Sequence, residues 1–524
     1  MTMENLLKRA CVLACVAFVA GSAVASDVPR VKLGDEIADG RPAVRWRGFN
    51  LLEMFIMGRD GKPKEFREED FQIIRDWGFN FVRLPMDYRF WIKDGDWERF
   101  DESALQVIDR AIALGRKYGI HVHLCMHRVP GYTVARPQEG TDLFTDPETQ
   151  RVAAKHWAMF ARRYRGIPNE QLSFNLFNEP PAVPDEVYGH VGKILIEAIR
   201  REDPTRFILA DGLSYGRHPV QSLMNLPGVG LSTRGYTPMS ISHYMASWVG
   251  TPRAKPVWPL RMDAPAGILA GAGKPDMRTP FVISNLPPCT VSVTYGRVSG
   301  RVKVRVAADG KAVAEEVLAP AKDAPNWEDV SWYPQWKIFQ GTYTGTTVVA
   351  LPQGAKALSV AVAEGDWLNL GTVTVASPDG TKKVDLSIGG EWGKPANFTQ
   401  AFRGFDAAPA FATVAAEDAP KPRYENPGME YLYRKQLGDW DEPCAKGLFA
   451  MAGEFGCYCY TPHALALTWL EDYLRLWHER GMGWAMWEFR GTFGILDSNR
   501  KDVDYEDYRG HKLDRKLLEL LRRY

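Results

Sequence analysis

Between residues 44 and 247, short apolar runs alternate with amphipathic helical stretches, and that alternation leaves few architectures open. Helical spacing marks 66–77, where Phe71, Ile74 and Trp77 share a face. It also marks 101–118, where Asp101 is placed to cap the first turn and Gly119 to stop the last. Two more helices are expected over 148–164 and 185–201. Strand-like runs separate them at 79–84, 120–126, 172–177, 207–210 and 241–243. Parallel strands need long crossovers and usually take helices for them, so this repetition predicts a parallel sheet covered by helices.

The pattern breaks after Trp248, where Pro252, Pro256 and Pro259 open a stretch without helical periodicity. Short β-branched runs follow at 291–293, 302–306, 313–318, 346–351, 358–362 and 370–375, set apart by turns such as Asp309-Gly310 and Pro378-Asp379-Gly380. Such spacing reads as an all-β sandwich, jelly-roll-like, over roughly residues 263–400. Strand and helix patterning returns afterwards, with helices expected over 427–437, 463–480 and 514–523.

Two carboxylates occupy matching places in this plan. Phe174-Asn175-Leu176-Phe177 reads as a buried strand that Asn178-Glu179-Pro180 breaks, because proline lacks the N–H a central strand needs. Leu448 to Ala452 is an apolar run ending in Gly453-Glu454-Phe455-Gly456. Parallel barrels place their chemistry at the carboxyl ends of strands, and carboxylates at two distant strand ends favour closure into a barrel. Two glutamates so placed are what glycosidic bond cleavage uses, one as acid/base and one as nucleophile or base.

These residues resemble glycoside hydrolase family 5, the retaining β-glycanases on a (β/α)8 TIM barrel. The resemblance places Asn-Glu-Pro at the end of the fourth strand and Gly-Glu-Phe-Gly at the end of the seventh. Trp46-Arg47-Gly48-Phe49-Asn50-Leu51 resembles the first strand, Phe81-Val82-Arg83-Leu84-Pro85 the second and Val122 to His127 the third. Gly483 to Phe489 resembles the eighth, and the likeness covers roughly residues 44–250 and 425–524. It implies Glu179 as acid/base, Glu454 as nucleophile, Arg83 as the cation beneath Glu454 and Asn178 as a partner of the sugar's 2-hydroxyl. His127, His243 and Trp487 would orient the glutamates or line the sugar site. The family's sixth strand carries His-x-Tyr, whereas His243 is followed here by Tyr244 and Met245. Either Tyr244 turns in through a bulge, or Tyr458 or Tyr460 substitutes, or that contact is absent.

The expected organisation is a signal peptide over 1–25, barrel over 26–262 and 401–524, and the β module inserted between strands six and seven at 263–400. Lys8-Arg9, the apolar stretch from Ala10 to Ala20 and Ala23-Val24-Ala25 mark the signal, which implies a secreted or periplasmic protein. Five of the seven cysteines remain after its removal, an odd number that leaves at least one thiol unpaired. A net charge of +1 argues against a nucleic-acid partner. The expected partner is a β-linked polysaccharide or oligosaccharide, bound by a monomer with no membrane contact after signal cleavage. A β-1,4-glucan or mixed-linkage β-glucan leads, with β-mannan, exo-β-glucosidase action and a non-catalytic carbohydrate-binding barrel as alternatives. The chemistry requires no cofactor or metal. A metal-dependent rival rests on His121-Val122-His123, whose side chains share a strand face but lack ligands from later strands. Trp327, Trp332, Tyr333, Trp336 and Trp367 offer either a sugar platform or packing within the module. Trp248 and Trp258, in the segment leading to it, are expected to share a sugar surface beside the cleft.

Overall fold

The computed structural model describes residues 45–58, 61–249, 255–260, 267–271, 280–333, 336–388, 399–414 and 422–524. The expected signal peptide lies outside these residues. The chain divides into two compact units, Met1–Trp258 with Leu432–Tyr524 and Pro259–Tyr431.

The first unit is a closed barrel of eight parallel strands. They are β1 (Arg47–Asn50), β2 (Phe81–Asp87), β3 (His121–Val129), β4 (Leu172–Asn175), β5 (Ile208–Asp211), β6 (Val229–Gly235), β7 (Ala450–Phe455) and β8 (Gly483–Met486). Each pairs with the next, and β8 closes on β1 with Arg47 opposite Trp484. Helices α1 (Glu68–Asp76), α2 (Glu102–Tyr118), α3 (Pro147–Arg163), α4 (Asp185–Glu202), α5 (His463–Glu479) and α6 (Arg515–Arg523) lie between or after the strands. Asp101 caps α2 by accepting from the Ser103 N–H at 2.9 Å, and Gly119 ends it in the left-handed region at φ 67°. The strands are buried on both faces, as covered parallel sheets are. β1 and β2 approach so closely that a Cβ on Gly48 would sit 1.7 Å from the Phe81 carbonyl oxygen.

One strand differs from expectation. Residues 241–243 do not form the sixth strand; Ile241 and Ser242 belong to the helical turn Met239–Ser242, and His243 ends that turn. The sixth strand is Val229–Gly235, in which Ser232, Thr233 and Arg234 are polar and buried. Its polarity hid it, because apolar runs were the strand signal.

In the second unit, eleven strands among the described residues join in one hydrogen-bonded network around a core of its own, which includes Val291, Val304, Val360 and Leu368. Several expected short strands are parts of two long ones, Thr290–Ala308 and Leu358–Ala376, paired antiparallel. Register shifts at four places bend the pair without ending it. Gly365, at φ 101°, sits where a Cβ would meet the Arg301 carbonyl oxygen at 2.1 Å, so this glycine serves a close approach and not a turn. The unit also runs past residue 400, since Thr399–Phe402 pairs with Phe281–Ser284 and with Phe411–Thr413. Among its aromatic residues, Trp367 is buried beside Ile268 and Ala270, and Trp327 packs on Tyr343. Trp332 and Trp336 are exposed.

Candidate active site

Arg83 lies in the middle of β2 and is fully buried, so its charge must be met by neighbours. Its Nη1 donates to Glu454 Oε1 at 2.6 Å and to Asn50 Oδ1 at 2.9 Å. Its Nη2 donates to Asn178 Oδ1 at 2.7 Å. The cation from β2, the carboxylate from β7 and the amide after β4 thus meet at one point.

Glu454 reaches that point through a β-bulge. Ala452 pairs with Thr233 and Glu454 with Arg234, so Gly453 is the extra residue of β7. A side chain at Gly453 would strike Ser232 Oγ at 2.5 Å and Arg234 Nη1 at 2.9 Å. The second oxygen of Glu454 accepts from the Tyr236 hydroxyl at 3.2 Å. Burial, with the charges of Glu454 and Glu179, holds the Tyr236 phenol well above its usual range, so it remains a donor.

Glu179 takes φ 48°, a left-handed conformation uncommon for a residue with a side chain. Two bonds hold it there: its N–H donates to Asp211 Oδ2 at 2.9 Å, and its carbonyl accepts from the Tyr132 hydroxyl at 2.5 Å. Its carboxyl group accepts from Arg234 Nε at 3.2 Å. Burial and the Glu454 charge push the Glu179 carboxyl up to about 8, against the opposing pull of Arg234.

The other expected residues surround this pair. His127, on β3, is buried against Phe55 and Trp487, with ring centroids 4.4 and 5.8 Å away. Burial and the nearby arginines keep its imidazole neutral. Trp487 stands at the end of β8 and also meets Phe55 at 4.9 Å. His243, although not on a strand, packs edge-on to Tyr236 at 5.2 Å and to Phe493 at 5.4 Å, and burial lowers it to about 4. Tyr244 follows in the same turn. The hydroxyl that reaches Glu454 belongs to Tyr236, not to Tyr244, Tyr458 or Tyr460.

Three functional candidates escaped the sequence reading: Asp211 at the end of β5, Arg234 in β6 and Tyr236 just beyond it. The usable signal was Arg234-Gly235-Tyr236, which keeps the spacing of His-x-Tyr with arginine in the first place. His121 and His123 converge on one hydroxyl, Ser173 Oγ, at 2.6 and 2.7 Å. Among the described residues no group of three or more His, Cys, Asp or Glu side chains is arranged to hold a metal ion. All five cysteines among them are unpaired thiols.

Residues 37–248 match the family model of cellulase, glycosyl hydrolase family 5. Endoglucanase C of Acetivibrio thermocellus is 30% identical over 186 residues, which is 34% of this chain and 53% of that protein. Cellodextrinase A of Ruminococcus flavefaciens is 29% identical over 212 residues, 38% of this chain and 61% of that protein. The chain thus spans little more than half the length of these relatives. A solved structure described as a glycoside hydrolase is 25% identical with a TM-score of 0.56, covering 92% of this chain and 99% of its own. The segment 37–248, which carries Arg83, Asn178 and Glu179, is thus similar to the cellulase family, glycosyl hydrolase family 5, whose model it matches.

Proposed function

We propose that the barrel hydrolyses a β-linked glucan with retention, Glu454 attacking the anomeric carbon and Glu179 giving and taking the proton. The observation that supports this reading is the contrast between the two carboxylates. Glu454 is ion-paired to Arg83 at 2.6 Å, while Glu179 is pushed up to about 8 and so holds a proton at neutral pH. In the first step a Glu454 oxygen bonds to the anomeric carbon as the glycosidic bond breaks, and the Glu179 proton goes to the leaving oxygen. In the second, Glu179 takes a proton from water, the water oxygen bonds to the same carbon, and the bond to Glu454 breaks. These steps use only the two carboxylates and water.

Asn178 fits a supporting role. Its Oδ1 is fixed by Arg83 and by Arg234 Nη2 at 2.8 Å, which sets the direction of the amide. Its Nδ2 is buried without a hydrogen-bond partner among the described residues, a donor suited to the 2-hydroxyl of a bound sugar.

β-1,4-Glucan is the first substrate to test, because the matched relatives are named endoglucanase and cellodextrinase. The signal-like segment at 8–25 supports export of the protein. Glu454→Gln keeps the shape and removes the nucleophile. It should lower turnover of carboxymethylcellulose and cellotetraose by at least about a thousandfold while leaving oligosaccharide binding in place. Turnover equal to the unaltered protein would refute the assignment. Proton NMR of the first-formed anomer tests retention, and release of monosaccharide alone from every polymer would replace endo with exo action.

A further inference from the structure

We propose that Arg234 is a positioning residue that serves both glutamates in turn, staying with the negative charge as it passes from Glu454 to Glu179 and back. The inference rests on the two-glutamate reading above. One guanidinium reaches both groups: Nε lies 3.2 Å from Glu179 Oε1 and Nη2 lies 3.7 Å from Glu454 Oε1. Arg83, by contrast, makes its ion pair with Glu454.

The chain builds a seat for this arginine. Its side chain is 2% exposed and is anchored by Asp211 Oδ2, by Ser232 Oγ at 3.0 Å and by the Thr233 carbonyl at 3.0 Å. Two glycines clear its path. A Cβ at Gly216 would meet Arg234 Cγ at 2.7 Å, and one at Gly453 would meet Nη1 at 2.9 Å. Asp211 ties the seat to the acid, since the same Oδ2 accepts from the Glu179 N–H. A buried cation held on several sides cannot follow a moving charge by swinging, so it must already stand between the two positions the charge occupies.

Charge counting gives the arrangement its purpose. Before the first step Arg83 and Arg234 face two anions, Glu454 and Asp211, with Glu179 protonated. When Glu454 becomes a neutral ester and Glu179 gives up its proton, the anions are Glu179 and Asp211. The total is unchanged, and the new anion lies 3.2 Å from Arg234 Nε. No buried charge is left unmatched at either stage.

The groups facing Glu179 are Arg83 from β2, Tyr132 after β3, Asp211 from β5, Arg234 and Tyr236 from β6 and its end, and Glu454 from β7. Arg234→Gln removes a cation that favours ionised Glu179, so the alkaline fall in kcat/KM should move up by at least about one pH unit. Asp211→Asn removes an anion and frees Arg234 for Glu179, so the same limb should move down. Both are read with cellotetraose, whose poor leaving group needs the proton, after circular dichroism shows the fold intact. Arg234→Gln should also lose about a hundredfold in kcat/KM at pH 6, and Arg234→Lys should bring its limb back toward that of the unaltered protein. A rate loss with an unmoved limb, or limbs that move the same way in both variants, would overturn the proposal. Should Arg234→Gln not fold, Asp211→Asn decides alone, and a limb unmoved or raised counts against it. Failure of the enzymatic reading looks different: the unaltered protein would then cleave no cellotetraose.

Discussion

Glu179 and Glu454 carry the same functional group and share one guanidinium, yet they stand in different surroundings. Glu454 receives Arg83 and the Tyr236 hydroxyl, whereas Glu179 bears burial and its partner's charge. In the proposed mechanism Glu179 must be protonated to act, so kcat/KM should be level through neutral pH and fall about tenfold per unit above about 8. A pH profile on cellotetraose checks this, and a fall beginning near 5 would assign the acid to another group. Glu179 and Glu454 were legible in the sequence because each sits just past an apolar strand that announces itself, and Arg83 and Asn178 through the resemblance to glycoside hydrolase family 5. Arg234 and Tyr236 were not, since a buried arginine in a polar run looks like surface until its ion pairs are seen.

The same contrast governs whole elements. Helices α2 and α5 were readable from apolar spacing, and Asp101 and Gly119 marked the ends of α2, because local chemistry fixes such features. β6 was not, for its polar residues are satisfied by partners elsewhere, such as Asp211 at the end of β5 and Asn178 in the loop after β4. In the second unit, Asp309-Gly310 and Pro378-Asp379-Gly380 do form turns between strands, but Gly365 lies inside a long bulged strand, where only the pairing shows why it is there. Gly48 is the strictest case, because a Cβ there would lie 1.7 Å from the Phe81 backbone oxygen and neither strand has room to yield. Gly48→Ala should destabilise the barrel by at least about 3 kcal/mol, as overpacking at rigid backbone does. Urea unfolding measures it, and a loss below about 1 kcal/mol would show that β1 and β2 can part.

At the scale of the molecule, two separate cores share one chain. The core of the second unit is built from that unit's own residues, including Phe281, Val302 and Val373. Replacing Pro259–Tyr431 by a short Gly/Ser bridge should therefore leave a barrel that folds by circular dichroism and turns over cellotetraose. Loss of the fold would show that the barrel depends on the insert. The position of that insert also sets a timetable. Tyr236 and Glu454 touch, yet 218 residues separate them in the chain. At a synthesis rate of about 5–20 residues per second, the seventh strand emerges about 10–40 s after the sixth. Until then the barrel cannot close, and Glu454 cannot reach Arg83 or Arg234. The site is therefore completed only by residues made after the whole insert.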